Sequence, residues 1–344
     1  MSVSRLSPPA SGLAEAPRLS VVIPLYNCLA LTQAMLESLR ATLPSGLAHE
    51  IIFVDDGSTD GTREWLKNLS PSNGSATPGA PFRVVLNEQN LGYAVANNRG
   101  AALARGEFLV LLNNDLVLLP HWLEPMLAAH RALRERAGPI GNVQLDARTG
   151  AIDHAGIVIN RQGKPEHART LPPRSQRLFT SLRRVPAITG ACLLIERALW
   201  QKLGGFDASF VNGGEDVDLC FRARAAGYDT AVALRSIVRH HVSSSAGRKA
   251  HDEQNSYRLA RRWRAEFIAD SRDATRSWCR DYLRAALAEP RSAEHALARR
   301  ALLHASHLSR TPPAEALADL EAGLAREFAR WEAMFPDVAR ASGP

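Results

Sequence analysis

The chain has 344 residues, 45% hydrophobic and 22% charged, with a formal net charge of +7. That is the balance of an ordinary globular protein, long enough for one large or two modest domains around a buried core. The positive charge points to an anionic partner, but Lys and Arg form no dense block and no RNA-binding or zinc-finger signature appears, which excludes nucleic acid.

Residues 1–16 read as a flexible N-terminus without the continuous apolar core of a signal peptide. Residues 19–23 are a β-rich apolar run ended by Pro24, the pattern of a buried strand. Leu31, Met35, Leu39 and Leu43 then recur every four residues, one face of an amphipathic helix. Residues 51–54 give a second strand, followed by an Asp/Gly/Ser/Thr turn and a short helix around Trp65 and Leu66. Residues 70–81 read as a surface loop. A third strand (82–86), an Ala-rich helix (93–104) and a fourth strand (108–112) follow. The longest apolar stretch, 108–120, is interrupted by Asn113-Asn114-Asp115 and is too short to span a bilayer.

A helix is expected over 122–136, after which residues 144–184 lose periodicity. Next come a strand at 191–195, a helix from Arg197 stopped by Gly204-Gly205, and a helix at 217–226 stopped by Gly227. Residues 230–234 and 237–238 read as two short strands. Beyond residue 248 only helical patterns remain, broken at Pro290 and Pro312-Pro313. Strands alternating with helices predict a parallel sheet covered on both faces. The layout is an α/β domain over 17–247 with a helical C-terminal extension over 248–344. No acidic or His cluster in the extension suits catalysis. Its Arg258, Arg261, Arg262, Arg264, Arg299 and Arg300 lie beside Trp263, Trp278 and Trp331, a pattern of either a solvated bundle or an interfacial surface for anionic lipid.

Cys28, Cys192, Cys220 and Cys279 show no C-x-x-C spacing, so neither a zinc site nor a redox pair is expected. Scattered thiols fit a reducing cytosol. The expected location is cytoplasmic, with peripheral contact at the inner face of the cell membrane left open.

In open α/β sheets, ligands gather beyond the carboxyl ends of the strands. Asn27, Asp55-Asp56 and Asn113-Asn114-Asp115 all fall just past predicted strands, so three polar clusters converge on one crevice. A dinucleotide-binding G-x-G-x-x-G is missing after the first strand, and a P-loop is missing too, which disfavours hydride transfer and ATP hydrolysis by those routes.

Seven motifs follow in order: V-V-I-P-L-Y-N (21–27), V-D-D-G-S-T-D-G-T (54–62), N-x-x-N-L-G-Y-A-V-A-N-N-R-G (87–100), L-L-N-N-D (111–115), T-G-A-C-L-L-I-E-R (189–197), G-G-F-D (204–207) and G-G-E-D-V-D-L-C-F-R (213–222). Together they resemble the inverting family 2 glycosyltransferases, which have the GT-A (Rossmann-like nucleotide-diphospho-sugar transferase) fold. The resemblance extends to bacterial rhamnosyltransferase-like enzymes of cell-surface polysaccharide assembly. It implies transfer of a sugar from a nucleotide diphosphate to a hydroxyl of a glycan or lipid-linked saccharide. A sugar nucleotidyltransferase and a non-catalytic sugar-nucleotide-binding module are the alternatives.

The resemblance also assigns residues. Pro24, Tyr26, Asn27, Asn98, Asn113 and Asn114 fall where the nucleotide is held. Asp56 would accept from the N3–H of uracil or thymine, because an ionised carboxylate only accepts, which makes UDP or dTDP the expected donor nucleotide. Asp115 would bind Mg2+ or Mn2+ against the diphosphate, joined by His240. Asn113 replaces the Asp that opens the family's D-x-D, so Asp115 would carry the charge alone. Thr189, Gly190 and Gly214 would surround the donor sugar. Asp216, with Glu215 beside it, is the candidate general base. His154 and His167 lie in the aperiodic segment that could face an acceptor, and read as structural or exposed.

Overall fold

A computed structural model describes residues 17–69, 82–177, 179–241, 251–288 and 294–337. The expected N-terminal tail, the loop at 70–81 and the boundary between 247 and 248 lie outside the described residues.

The first half alternates strongly: β1 (Leu19–Leu25), α1 (Leu29–Thr42), β2 (His49–Asp55), α2 (Thr62–Leu69), β3 (Phe82–Leu86), α3 (Tyr93–Leu103) and β4 (Phe108–Leu112). These four strands are parallel, in the order β3-β2-β1-β4. β1 runs through Pro24 instead of ending there. Its last partner pair with β4 is Val22 with Leu111, so Pro24 lies where that flank needs no donor.

The second half departs from the expected parallel sheet. It contains β5 (Leu116–Leu118), α4 (Glu124–Leu133) with a 3-10 turn at Arg134–Arg136, β6 (Ala137–Asp146), β7 (Ile152–His154), β8 (Ile157–Ile159), β9 (Pro165–His167), α5 (Arg174–Arg177), β10 (Leu182–Arg184), β11 (Cys192–Glu196), α6 (Arg197–Leu203), α7 (Glu215–Ala225) and β12 (Asp229–His240). The sheet continues β4-β11-β6-β12-β10, with β11 antiparallel to both β4 and β6, β12 parallel to β6 and β10 antiparallel to β12, so it is mixed.

β6 is hidden in the sequence by Gly138, Pro139 and Gly141. Those small residues answer close neighbours: a Cβ on Gly141 would lie 2.9 Å from Ile188, and one on Gly138 would lie 2.7 Å from the Asp229 carbonyl oxygen. β12 is one strand, not two. Its register against β6 shifts between Ala233 and Ile237, and within that bulge the Ser236 hydroxyl donates to the Trp122 carbonyl. The strand then pairs with β5, Val238 opposite Leu118 and His240 opposite Leu116.

Side chains alternating along β1, β2 and β4 supply two apolar layers. Val22, Ile52, Leu109 and Leu111 face one cluster, and Val21, Ile23, Phe53 and Val110 face the other, with Met35, Leu39 and Met126 of α1 and α4. Among its described residues the extension holds α8 (Asp252–Ala269), α9 (Arg272–Ala288), α10 (His295–Ala305) and α11 (Ala314–Met334). Tyr257, Leu259, Trp263 and Phe267 of α8 belong to the first cluster, so α8 shares the core of the α/β sheet.

A buried carboxylate fastens β2 to its neighbours. Glu50 is 0% exposed; it accepts from the Ser20 hydroxyl at 2.7 Å and the Arg105 N–H at 2.7 Å, and pairs with Arg83 and Arg105. Burial alone would raise its pKa, but these donors outweigh that and hold it below the ordinary value. A depressed folded pKa stabilises above the unfolded value, and that stability is lost as pH falls through the folded one. Glu50→Gln should therefore cost about 1.5–3 kcal/mol at neutral pH. In urea titrations at descending pH, its difference from wild type should shrink below the ordinary glutamate pKa of about 4.3.

Candidate active site

The carboxyl ends of the parallel strands open into a single cleft. Pro24, Leu25 and Tyr26 from the end of β1, Asp56 after β2, and Asn90, Tyr93 and Ala96 around the start of α3 form one part of its wall. Asn113, Asn114 and Asp115 between β4 and β5, Thr189, Gly190 and Ala191 before β11, and Asn212, Gly213, Glu215 and Asp216 at the start of α7 complete it. Ten predicted site residues thus meet in one place: Pro24, Tyr26, Asp56, Asn113, Asn114, Asp115, Thr189, Gly190, Glu215 and Asp216.

Asp56 is buried and held by three donors. Its Oδ1 accepts from Asn87 Nδ2 at 2.7 Å and the Leu91 N–H at 3.0 Å, and its Oδ2 from the Gly92 N–H at 2.8 Å. Asn87 is itself oriented by Arg99, which donates to its Oδ1. Neighbouring Asp55 faces away from the cleft and ties the turn, accepting from Arg63 Nε at 2.6 Å and the Ser58 N–H at 3.3 Å.

At the far side of β1 the Asp115 carboxylate meets His240, with Oδ1 3.3 Å from Nε2. Both are buried, and neither Asp115 Oδ1 nor either ring nitrogen of His240 has a hydrogen-bond partner. The β12 bulge and the β5–β12 pairing bring them together, and the His241 N–H donates to the Asp115 carbonyl at 3.0 Å. Among the described residues, no group of three or more His, Cys, Asp and Glu is placed to hold a metal, so this pair would be two ligands of a shared shell.

Opposite, Asp216 opens α7. Its Oδ2 accepts from the Gly190 N–H at 2.8 Å and its Oδ1 from the Val217 N–H at 2.8 Å. Tyr93 donates its hydroxyl to the Gly190 carbonyl at 2.9 Å. A Cβ at Gly190 would lie 3.1 Å from that hydroxyl and 3.5 Å from the Asp216 Cβ, so a larger residue would crowd both contacts. Glu215 is buried at 4% exposure, and its Oε2 accepts from the Gly213 N–H at 2.8 Å. Asp216 is the more open of the two carboxylates.

Residues 20–204 match the family model described as glycosyl transferase family 2, and residues 173–305 that of glycosyl transferase family group 2. The chain belongs to glycosyl transferase family 2. Among its curated relatives is an uncharacterized protein, y4gI, of Sinorhizobium fredii, 32% identical over 74% of this chain and 28% of the relative. The chain therefore spans less than a third of that relative's length. An N-acetylglucosaminyl-diphospho-decaprenol L-rhamnosyltransferase of Mycobacterium tuberculosis is 31% identical over 62% of this chain and 77% of its own. The solved structure of GalNAc-T7 with UDP, GalNAc and Mn2+ superposes with a TM-score of 0.55 at 21% identity, covering 73% of this chain and 50% of that one. At that identity the likeness is one of fold, the GT-A fold.

Four residues expected in this family 2 site stand behind its walls. Asn27 has a left-handed backbone (φ 57°); its N–H donates to Ser58 Oγ at 2.8 Å and its Oδ1 accepts from the Thr59 N–H at 2.8 Å, tying the end of β1 to the turn after β2. Asn98 clamps Phe206, donating to its carbonyl at 2.8 Å and accepting from its N–H at 2.9 Å. Gly214, with φ 93°, packs against Phe210 and Leu259. His240 reaches the cleft only through Asp115.

Tyr93 and Asn212 went unassigned in the sequence although both line the cleft. They touch across 119 residues, the Tyr93 N–H donating to Asn212 Oδ1 at 3.2 Å, and no local pattern carries that contact. His154 is fully buried against His167, with ring centroids 4.7 Å apart, and burial pushes its pKa well below the usual value. Asn98→Ala, which removes both bonds to Phe206, should lower stability by about 1–3 kcal/mol in chemical denaturation, and Asn98→Asp, which keeps the bond from the Phe206 N–H but sets an acceptor-only carboxylate against the Phe206 carbonyl, should not restore it.

Proposed function

We propose that this chain transfers a sugar, with inversion, from a UDP- or dTDP-linked donor to a hydroxyl of a glycan or lipid-linked saccharide, releasing the nucleoside diphosphate. The observation that carries the reading is the shared cleft. Asp115, backed by His240, and Asp216 both line it with the small residues Thr189, Gly190 and Ala191, and the Gly190 N–H donates to Asp216.

An inverting transfer needs an acceptor oxygen on the face of the anomeric carbon opposite the departing diphosphate. Asp216 is fixed by two backbone N–H groups, and each carboxylate oxygen keeps a lone pair free to accept a proton. As the new C–O bond forms and the bond to the diphosphate breaks, the acceptor's proton passes to Asp216. The anion also favours an oxocarbenium-like transition state. A side chain at Gly190 would press on Tyr93 and on Asp216 itself.

Asp115 Oδ1 and His240 Nε2, 3.3 Å apart and without a hydrogen-bond partner, would hold a divalent cation, Mg2+ or Mn2+. When bound, such an ion offsets the charge gathering on the diphosphate. The related structure with UDP and Mn2+ supports both parts of this assignment. Asp56 is held rigidly enough by its three donors to present its remaining acceptor capacity to a base N3–H. The relative named for a decaprenol-linked substrate supports a lipid-linked acceptor. No described helix is long and apolar enough to cross a membrane, and the reading includes peripheral contact with one.

Two experiments test this. Calorimetry of UDP with and without Mn2+ should show metal-enhanced binding that Asp115→Ala abolishes, and GDP should bind more weakly than UDP; equal binding in EDTA refutes the metal assignment. Asp216→Asn should lower kcat by about 10²–10⁴-fold with donor affinity unchanged, measured on whichever sugar nucleotide from a panel the wild type consumes. A folded Asp216→Asn protein with normal turnover would remove the base from this position.

A further inference from the structure

Residues 207–218 bring Asn212, Gly213, Glu215 and Asp216 to the cleft, and their backbone is unusual. Asn212, Gly213 and Gly214 have φ of 54°, 152° and 93° in succession. Glycine adopts positive φ freely, so the shape of this segment is set by the contacts that hold it. On the cleft side the Tyr93 N–H donates to Asn212 and the Gly190 N–H to Asp216.

The back of the segment is fastened to α8. Asn255 Nδ2 donates to the Val211 carbonyl at 2.9 Å, and Arg258 donates to the Ser209 carbonyl. Arg262 donates from one nitrogen to Asp207 Oδ2 at 2.8 Å and to Asp218 Oδ1 at 2.7 Å, bracketing the segment at both ends. Asp218 is 0% exposed, and it also accepts from Trp263 Nε1 at 3.0 Å and Arg222 Nε at 2.7 Å. A Cβ on Gly214 would lie 3.2 Å from Leu259, so α8 lies directly against the start of α7. Asp218 therefore anchors α7 to α8 two residues beyond the proposed base.

We propose that Arg262 and Asn255, on a helix that contributes no residue to the cleft wall, are positioning residues that set the acceptor side of the site by holding residues 207–218 in place. The inference rests on Asp216 being the base. Donor binding uses Asp56, Asp115 and their neighbours, none of which touches α8 through a described hydrogen bond, so the two halves of the site are separable.

The test uses the full chain. Arg262→Gln and Asn255→Ala are compared with wild type for UDP affinity by calorimetry, for kcat on the consumed sugar nucleotide, and for hydrogen exchange peptide by peptide. Each variant should bind UDP within about twofold of wild type while kcat falls at least tenfold. Exchange should quicken over 207–218 and stay unchanged over 87–92. Arg262→Lys, which keeps a cation but not the forked geometry, should recover part of the rate. In an Asp216→Asn background, Arg262→Gln should have little further effect on kcat, because both act on one step. Unchanged kcat in folded variants overturns the proposal, as does a rate loss that multiplies fully with that of Asp216→Asn. Should Arg262→Gln fail to fold, Asn255→Ala, which removes one hydrogen bond, decides by the same criteria. Normal turnover in Asp216→Asn alone would instead overturn the assignment of the base.

Discussion

A sheet covered on both faces leaves its polar groups one place to meet polar side chains and ligands: the strand ends. That constraint governs this molecule. β1, β2 and β4 are buried on both sides, so the polar residues that follow them gather beyond their carboxyl ends. There Asp55 ends β2 and Asp56 follows it, Asn113 to Asp115 follow β4, and Asn27 staples the first turn to the second. Several of these groups satisfy loop backbone first and face the cleft second. Asp56 does both, since the donors from Leu91 and Gly92 that it accepts also build the loop leading into α3.

The legible part of the fold is the part whose physics is local. Continuous apolar runs announce β1 to β4, and periodic Leu and Met announce α1. β6 carries no such signal, because its glycines answer Ile188 and Asp229, residues remote in sequence. β12 reads as two strands because its bulge breaks the alternation that marks one. The site divides in the same way. Acidic residues at strand ends and at the start of α7 were readable as Asp56, Asp115 and Asp216. Asn98 looked equally suited to a ligand, and only the fold shows its amide clamped to Phe206. Tyr93 and Asn212 owe their place to each other, across a distance that no motif spans.

The excess of arginine has a comparable explanation. Much of it is directed inward, to carbonyl oxygens and carboxylates, and not to an anionic surface. Arg83 donates to the Leu103 carbonyl at the end of α3, and Arg222 to the Leu203 carbonyl at the end of α6, supplying donors that helix termini lack. Arg264 lies over Phe328 and Arg261 over Tyr257, while Trp331 is fully buried. Of the Arg and Trp pattern that suggested an interfacial stripe, Trp263 and Trp331 are internal packing of α8 and α11, while Arg262, Arg264, Arg299 and Arg300 stay exposed.

The bulge in β12 has a consequence for how this chain tolerates change in length. Successive side chains of a strand point to opposite faces, so losing or gaining one residue reverses everything beyond it. Between Ala233 and Ile237 the strand already carries its irregularity, and the register beyond it is what brings His240 opposite Leu116 and beside Asp115. A one-residue deletion there would turn His240 toward the other face while leaving every residue of the cleft in the sequence. Along this strand the number of residues is as much a part of the site as their identity.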